Sequence, residues 1–290
     1  MTDEAETSPD PAALTRRSVL ASVAALTLAA CAAPAGDPSS STSHAPGSSS
    51  GSGDAASADP TGSRSAGSTT PSAAPTGSPP ASAPSVGGPA REVTHGPRTA
   101  PVVALTFHGA GDPALADRVL RAAEAAHVHV TVLAVGKWLE QNPRVASRIL
   151  GGGHELGNHT LHHRPMRLMD EATAYAEIEG GRRLVAAAHA GPTWFRPSGT
   201  PHATPHILAA AGRAGYRTSL SFDVDPADYT DPGPDAVVAR VLAKVGNGSI
   251  VSLHLGHAGT ATAMPRILVG LRSRGLTAVT VSALLPGVTP

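Results

Sequence analysis

The apolar and polar positions from residue 100 onward fall into two kinds of segment. Short runs rich in β-branched and aliphatic residues have the length of buried strands, and longer segments of helical character separate them. We predict strands at Val102–Phe107, Val128–Val135, His154–Asn158, Thr193–Arg196, Arg217–Phe222, Ser249–His254 and Thr277–Val281. We predict helices at Pro113–Ala126, Pro143–Leu150, Asp170–Ala190, Pro205–Ala214, Pro234–Val245 and Thr262–Arg274. Strands that alternate with helices in this way predict an α/β fold with a parallel sheet, either a barrel or a doubly wound sheet.

Polar residues that are unusual for a buried sheet follow most of the predicted strands. They are His108, His159, Arg196, Asp223, Asp225 and His254. In a parallel β/α barrel the carboxyl ends of the strands converge on one mouth, where catalytic residues gather. Each residue alone could simply be polar at a strand end, but their recurrence favours a (β/α) barrel of about seven parallel strands.

The chain before this domain has a different composition. Residues 32–96 consist almost entirely of Ser, Pro, Gly, Ala and Thr, with Val86 and Val93 as the only larger aliphatic residues. Such a segment cannot bury enough apolar surface to offset the entropy of ordering its backbone. We therefore predict a disordered linker at 32–96 and one folded domain at 97–290.

Residues 1–31 predict an exported lipoprotein. Arg16 and Arg17 begin a twin-arginine-like signal, and the apolar run Val19–Ala30 follows them. The run ends at Cys31, in a context that resembles the lipobox of bacterial lipoproteins, where the cysteine is acylated. A secreted protein with an unmodified cysteine is the alternative. A short transmembrane anchor is disfavoured, because the run is too short to cross ~30 Å of hydrocarbon. We expect a lipid anchor on the outer face of the cytoplasmic membrane, with the domain facing the cell wall.

Charge and cysteine content narrow the possible partners. The chain has 22 basic and 22 acidic side chains, hence a formal net charge of zero with neutral histidines. It therefore lacks the basic footprint of a nucleic-acid-binding protein. Because Cys31 is the only cysteine, an intramolecular disulfide is excluded. We expect a monomer.

A histidine cluster at 157–163 is the strongest local signal for chemistry. His159 and His163 are four residues apart, so on a helical turn both rings would lie on one face and could bind one divalent metal ion. His162 competes with His163 for the second position, because a spacing of three also suits a helical turn. A histidine-rich surface loop without a metal is the alternative interpretation.

The same cluster resembles a motif of a known family. Asn158-His159-Thr160 followed by His163 is similar to the His-Thr/Ser-x-x-x-His motif of the polysaccharide deacetylases, the NodB-type carbohydrate esterases of family four. Five further segments resemble other family motifs and occur in the family's order. They are Val103–Phe107, Thr131–Lys137, Phe195–Pro197, Phe222–Tyr229 and Gly248–His254. The resemblance extends over residues 101–285.

This resemblance implies a distorted (β/α) barrel that hydrolyses the N-acetyl amide of amino sugars, with zinc or a similar ion. Carried over by position, His159 and His163 would be metal ligands, His254 the general acid, and Asp228 the residue that orients it. Backbone N–H groups after Pro197 would help to bind the oxyanion. For an envelope lipoprotein, the expected substrate is an N-acetylated polysaccharide, with the N-acetylglucosamine of peptidoglycan first.

The first family motif is altered in this chain. It normally reads Thr-Phe-Asp-Asp-Gly, whose two carboxylates serve as base and metal ligand, whereas this chain has His108 and Gly109 there. One hypothesis makes Asp112 the third ligand and His108 the base, with Arg196 keeping the imidazole neutral. A second exchanges the roles of His108 and Asp112. A third holds that catalysis is lost and the domain only binds glycan. The retention of the other motif residues favours an active enzyme.

Overall fold

The structure is a computed structural model that describes residues 88–191 and 193–290. The predicted signal segment with Cys31, and the predicted linker up to residue 87, lie outside the described residues. In the part of the chain that is described, the helices are too short or too polar to cross a membrane.

Strands and helices alternate along the described chain. The strands are β1 (Arg91–Val93), β2 (Val102–Gly109), β3 (Thr131–Ala134), β4 (Glu155–Asn158), β5 (Thr218–Leu220), β6 (Ile250–His254) and β7 (Thr277–Val279). The helices are α1 (Pro113–Ala125), α2 (Gly136–Gln141), α3 (Pro143–Gly151), α4 (Glu171–Ala188), α5 (Pro205–Arg213), α6 (Pro234–Lys244), α7 (Ala258–Ser273) and α8 (Val281–Leu284). Two short 3₁₀ turns lie at Met166–Leu168 and Asp228–Thr230.

All the strands that pair with one another do so in parallel. β2 pairs with β3 on one side and with β6 and β7 on the other, and β3 pairs with β4. β1 pairs with β5, and Phe195 forms single bridges to Asn158 of β4 and Ser219 of β5. Val224, after β5, bridges to Val251 of β6. The predicted α/β fold with a parallel sheet is confirmed, whereas a barrel of about seven strands stays a prediction.

The ordered domain begins earlier than the composition predicted. β1 lies inside the segment assigned to the linker, yet Glu92 accepts hydrogen bonds from Ser221 Oγ at 2.6 Å and from the Ala203 N–H at 2.8 Å. The boundary at residue 97 is therefore wrong, because pairing with β5 orders a segment whose own composition does not predict a strand. The predicted strand Thr193–Arg196 is likewise reduced to the two bridges of Phe195.

Packing in the core fixes the position of the carboxyl end of β2. Residues 103–107 of β2 are all fully buried, as expected for a parallel strand covered on both faces. On one face Leu105 and Phe107 belong to a cluster with Val119 of α1 and Ile267 of α7. His108 follows this run and is only partly exposed, so β2 places a polar side chain at the edge of the sheet in a fixed position.

Candidate active site

Two histidines of the site come from the loop after β4. Asn158 fixes this loop, because its Oδ1 accepts from the Thr160 N–H at 2.9 Å and its Nδ2 donates to the Ile178 carbonyl at 2.9 Å. Thr160 and His163 have left-handed backbones, with φ of 68° and 60°. Such conformations are costly for residues other than glycine and concentrate at functional sites. The predicted helical turn is therefore wrong, and a strained loop brings His159 and His163 together instead.

His108, at the end of β2, adds a third imidazole. Its ring stacks on that of His159 with 4.0 Å between centroids, and the ring of His159 lies 4.9 Å from that of His163. One possible ligand atom from each of the three residues lies within 4.8 Å of the other two. Three imidazole nitrogens are a known ligand set for zinc, with a fourth position left open.

The tautomer of His159 is fixed by the backbone. Its ring is fully buried, and Nδ1 donates to the Arg196 carbonyl oxygen at 2.9 Å. Nε2 is also buried and has no hydrogen-bond partner among the described residues. Burial, with a smaller effect of His163, holds the pKa of His159 well below its usual value. The neutral ring thus presents an unused lone pair toward its neighbours, and an Nδ1–H bonded to a carbonyl is the usual support of a metal-binding histidine.

A second functional unit is the pair His254 and Asp228. His254 ends β6, and its Nδ1 donates to Asp228 Oδ1 at 2.7 Å. The buried carboxylate also accepts from the His254 backbone N–H at 2.9 Å and from Thr260 Oγ1 at 2.5 Å. The carboxylate therefore fixes both the tautomer and the orientation of the imidazole, as in other histidine–carboxylate pairs used in acid–base catalysis.

The two units are joined by hydrogen bonds. His108 Nδ1 lies 2.9 Å from His254 Nε2, and His108 Nε2 lies 3.3 Å from Arg196 Nη1. Arginine can only donate and an ionised aspartate can only accept, so the chemistry of the ends sets the direction of the chain. Arg196 therefore donates to His108, His108 donates to His254, and His254 donates to Asp228. The single lone pair of neutral His108 can thus serve Arg196 or a metal ion, one at a time.

Comparison with known proteins identifies the family of this chain. Residues 95–219 match the model of the polysaccharide deacetylase family. The peptidoglycan-N-acetylglucosamine deacetylase of Bacillus cereus is 31% identical over 193 residues, which cover 65% of this chain and 90% of that protein. The chain belongs to the polysaccharide deacetylase family.

Other similar proteins include both a named deacetylase and a pseudoenzyme. A chitooligosaccharide deacetylase of a Bradyrhizobium species is 31% identical over 159 residues, which cover 53% of this chain and 71% of that protein. Among solved structures, a CE4 family pseudoenzyme from Bacillus anthracis is similar with a TM-score of 0.62 and 25% identity, over 67% of this chain and 68% of that chain. A mutant of this pseudoenzyme with restored enzymatic activity matches at 26% identity and a TM-score of 0.62, over 67% and 70%.

Asp112 does not join the histidines of this deacetylase family member. Its Oδ1 accepts from the Ala114 N–H at 2.8 Å and caps α1, which begins at Pro113. Its side chain is exposed, and it is absent from the group of potential ligands formed by the described residues. The structure thus gives Asp112 a local structural role, because an aspartate immediately before a helix is a preferred cap.

Position 109 leaves no space for the ligand that the family motif carries there. A Cβ atom on Gly109 would lie 2.9 Å from Trp138 Cζ3 and 3.0 Å from Ala134 Cα. The indole of Trp138 is itself held, because its Nε1 donates to the Gly111 carbonyl at 2.8 Å. At the end of this strand, His108 is therefore the residue that could serve as a third ligand.

Arg196 lies buried beside His108, as the sequence predicted. It donates to Thr106 Oγ1 at 2.9 Å and to the carbonyls of Leu220 and Ser221, both at 3.1 Å. Within the described part of the chain, no carboxylate lies within salt-bridge distance of its guanidinium. Burial therefore lowers the pKa of Arg196 to about 9. Burial, followed by the charges of neighbouring histidines and Arg196, also holds the pKa of His108 well below its usual value.

Two supporting residues were not found from the sequence. Glu177 of α4 accepts from the His162 backbone N–H at 2.8 Å and lies 2.7 Å from His162 Nδ1. His162 is thereby turned toward α4, and the structure places His163 in the histidine group. Thr260 supports Asp228 from α7. The available signal for Glu177 was a glutamate on the otherwise apolar face of a predicted helix. Nothing in the sequence distinguishes Thr260.

The histidines open onto a cleft of about 600 Å³, a volume typical of small-molecule sites. Its wall includes His108, His163, His254 and Tyr229, and among the described residues Asp225 is the only carboxylate in it. Asp223, by contrast, is exposed and forms an ion pair with Arg98 at 2.7 Å.

Proposed function

We propose that this protein is a metal-dependent polysaccharide deacetylase that removes N-acetyl groups from a cell-envelope glycan. The observation that carries the proposal is the buried Nε2 of His159, which has no hydrogen-bond partner among the described residues and lies beside the imidazoles of His108 and His163, two residues that line the cleft. Peptidoglycan N-acetylglucosamine is the first candidate substrate, because the B. cereus relative is named for that activity. A chitooligosaccharide is the second, after the rhizobial relative.

His108, His159 and His163 would hold the metal ion. All three donors are nitrogens, which suit zinc and neighbouring transition metals better than magnesium or calcium. When bound, such an ion polarises the acetamide carbonyl and acidifies a water molecule. This chemistry requires neutral imidazoles, and burial lowers the pKa of all three rings, which favours that form.

His254 would supply the proton for the leaving amine. The reaction breaks the bond between the acetyl carbon and the sugar nitrogen, and water provides the hydroxyl of acetic acid and a proton for the amine. Asp228 holds Nδ1 of His254, so Nε2, which accepts from His108 in this structure, is the nitrogen that would carry and deliver a proton at the cleft. With His108 Nε2 on the metal ion, Arg196 would keep its hydrogen bonds to Thr106 Oγ1 and to the carbonyls at the carboxyl end of β5.

A glycan-binding protein without catalysis is the second candidate. It is favoured by the absence of carboxylates at positions 108 and 109 and by the similarity to the B. anthracis pseudoenzyme. Such a protein would keep the cleft and would release no acetate.

Acetate release distinguishes the two candidates. The zinc-loaded protein should release acetate, with an equal amount of new amine, from N-acetylchitooligosaccharides or peptidoglycan, and His159→Ala should abolish both zinc binding and release. His202→Ala is the control variant. This histidine is exposed, lies 3.4 Å from Glu92, and is outside the cleft wall. Glycan binding without acetate release from either substrate would favour the second candidate.

We also propose that Cys31 anchors the mature protein to the outer face of the cytoplasmic membrane. The support is the sequence of the signal segment and the wall glycan named for the B. cereus relative. Mass spectrometry of the membrane fraction should find an acylated Cys31 at the mature N-terminus. Recovery of the protein in the medium with an unmodified Cys31 would contradict the anchor.

A further inference from the structure

A second histidine–aspartate pair lies beside the first. His257 Nδ1 is 2.9 Å from Asp231 Oδ1, and each residue follows its counterpart in the first pair by three positions. The rings of His254 and His257 are 5.8 Å apart and nearly perpendicular. The mechanism proposed above uses only the first pair.

The turn that carries both carboxylates is built for this arrangement. Asp228 begins a 3₁₀ turn that has Ala227 before it and Asp231 after it, both with left-handed backbones at φ of 52° and 50°. The Thr230 hydroxyl closes the turn by donating to the Ala227 carbonyl at 2.8 Å. The strained backbone at both ends aims two aspartates, three residues apart, at two histidines of equal spacing.

His257 presents a free nitrogen in the cleft wall. Its Nδ1 faces Asp231, and within the described residues its Nε2 forms no hydrogen bond. About a quarter of the side chain is exposed (26%), and the residue contributes to the cleft wall beyond His254. An imidazole held at one nitrogen by a carboxylate loses little further rotamer freedom when its other nitrogen binds a ligand.

The cleft beside His257 is floored by backbone. Ala110, Gly111 and Gly256 line it, and the two glycine loops touch so closely that a Cβ on Gly111 would lie 2.6 Å from Gly256 Cα. Gly111 also has a φ of 83°, which favours glycine. A floor without larger side chains leaves room for a flat ring next to the histidine group.

We propose that His257, held by Asp231, binds a hydroxyl group of the sugar adjacent to the one that carries the reacting acetamide. It would act as a specificity residue for a glycan chain over a single sugar. The inference rests on the proposed function for the nature of the ligand, but it does not require that the protein be catalytically active.

Chain-length dependence tests this inference directly. Affinities for N-acetylglucosamine and its β-1,4-linked tetramer would be measured by NMR titration on the full chain, with metal chelated to prevent turnover. His257→Ala should weaken tetramer binding by about two- to tenfold, the value of one hydrogen bond, and leave monosaccharide binding unchanged. His257→Gln should recover part of the loss, and Asp231→Ala should cause a smaller loss than His257→Ala. The control is again His202→Ala, which should change neither affinity.

The outcomes separate this inference from the proposed function. A chain that releases no acetate but loses tetramer affinity in His257→Ala would refute the enzyme and support the sugar subsite. An active enzyme whose His257→Ala variant binds the tetramer as tightly as the wild type would overturn the subsite alone. Equal losses for the monosaccharide and the tetramer, or no binding of either by the wild type, would overturn it too.

Discussion

Replacement of His108 distinguishes between two proposed sets of metal ligands. The structure supports His108 as the third ligand, whereas the first hypothesis from the sequence had Asp112 in that position. His108→Ala removes one of three imidazoles whose ligand atoms lie within 4.8 Å of one another. Loss even of a residue that only supports a metal ligand lowers affinity by about 10- to 100-fold, so loss of a ligand should exceed about 100-fold. His108→Asn, which retains a polar side chain without an imidazole, should show the same loss. Competition with a chromogenic chelator measures both values.

Asp112→Ala is the matched variant for this test. The structure gives Asp112 only the helix cap of α1, so its loss should cost about 1 kcal/mol of unfolding free energy and leave zinc affinity within about twofold. Chemical denaturation of the metal-free protein measures the first quantity and the same chelator competition the second. If Asp112→Ala loses zinc while His108→Ala keeps it, the three-histidine site is refuted, and the hypothesis with Asp112 as ligand is restored.

Three further predictions concern the surroundings of the site. Asp228→Asn should leave zinc affinity unchanged but lower the deacetylation rate by about 10²- to 10⁴-fold, since His254 loses its orienting carboxylate; an unchanged rate would exclude the acid role. Glu177→Ala should weaken zinc binding and lower the melting temperature, because it frees the loop that presents His163; calorimetry with and without zinc would show a loss in both. The pKa values of His108 and His159 are lowered in the folded state, so the unfolded chain binds more protons below the ordinary value of 6.5. The unfolding free energy of the metal-free protein should therefore be highest above about pH 6.5 and decrease as the pH falls below that value. His159→Ala should reduce this pH dependence, measured by denaturation at several pH values.

The general architecture and most of the site could be predicted from the sequence. The alternation of apolar runs with helical segments was enough for a parallel α/β fold, because the runs of the central strands β2, β3 and β6 are buried on both faces. His108, His159, Arg196 and His254 were expected at strand ends, and the parallel register brings those ends together. The position of these residues after the strands was thus enough to predict that they lie near one another, without knowledge of the loop conformations.

The assignment of Asp112 shows where sequence reasoning stopped. A carboxylate on a loop with two glycines suggested a mobile ligand, but the following Pro113 also made it a helix cap. The two roles compete for the same oxygen atoms, and the choice depends on where α1 begins. The role of β1 depends similarly on its long-range pairing with β5, which no local pattern in residues 88–96 reveals. In both cases a three-dimensional contact overrides a plausible local signal.

The retained residues of the family motifs do not weigh equally as evidence for function. Arg196 has a structural reason to persist without a catalytic carboxylate, because it links Thr106 of β2 to the carbonyls of Leu220 and Ser221. Asp228 likewise binds the backbone of His254 as well as its ring. His159 differs, since its buried Nε2 has no partner in the described structure, and such an atom costs about 1–3 kcal/mol. A domain that only needed to fold would gain stability by replacing this nitrogen with an apolar group, so its presence argues for a ligand, and the two nearby imidazoles support the metal ion proposed above.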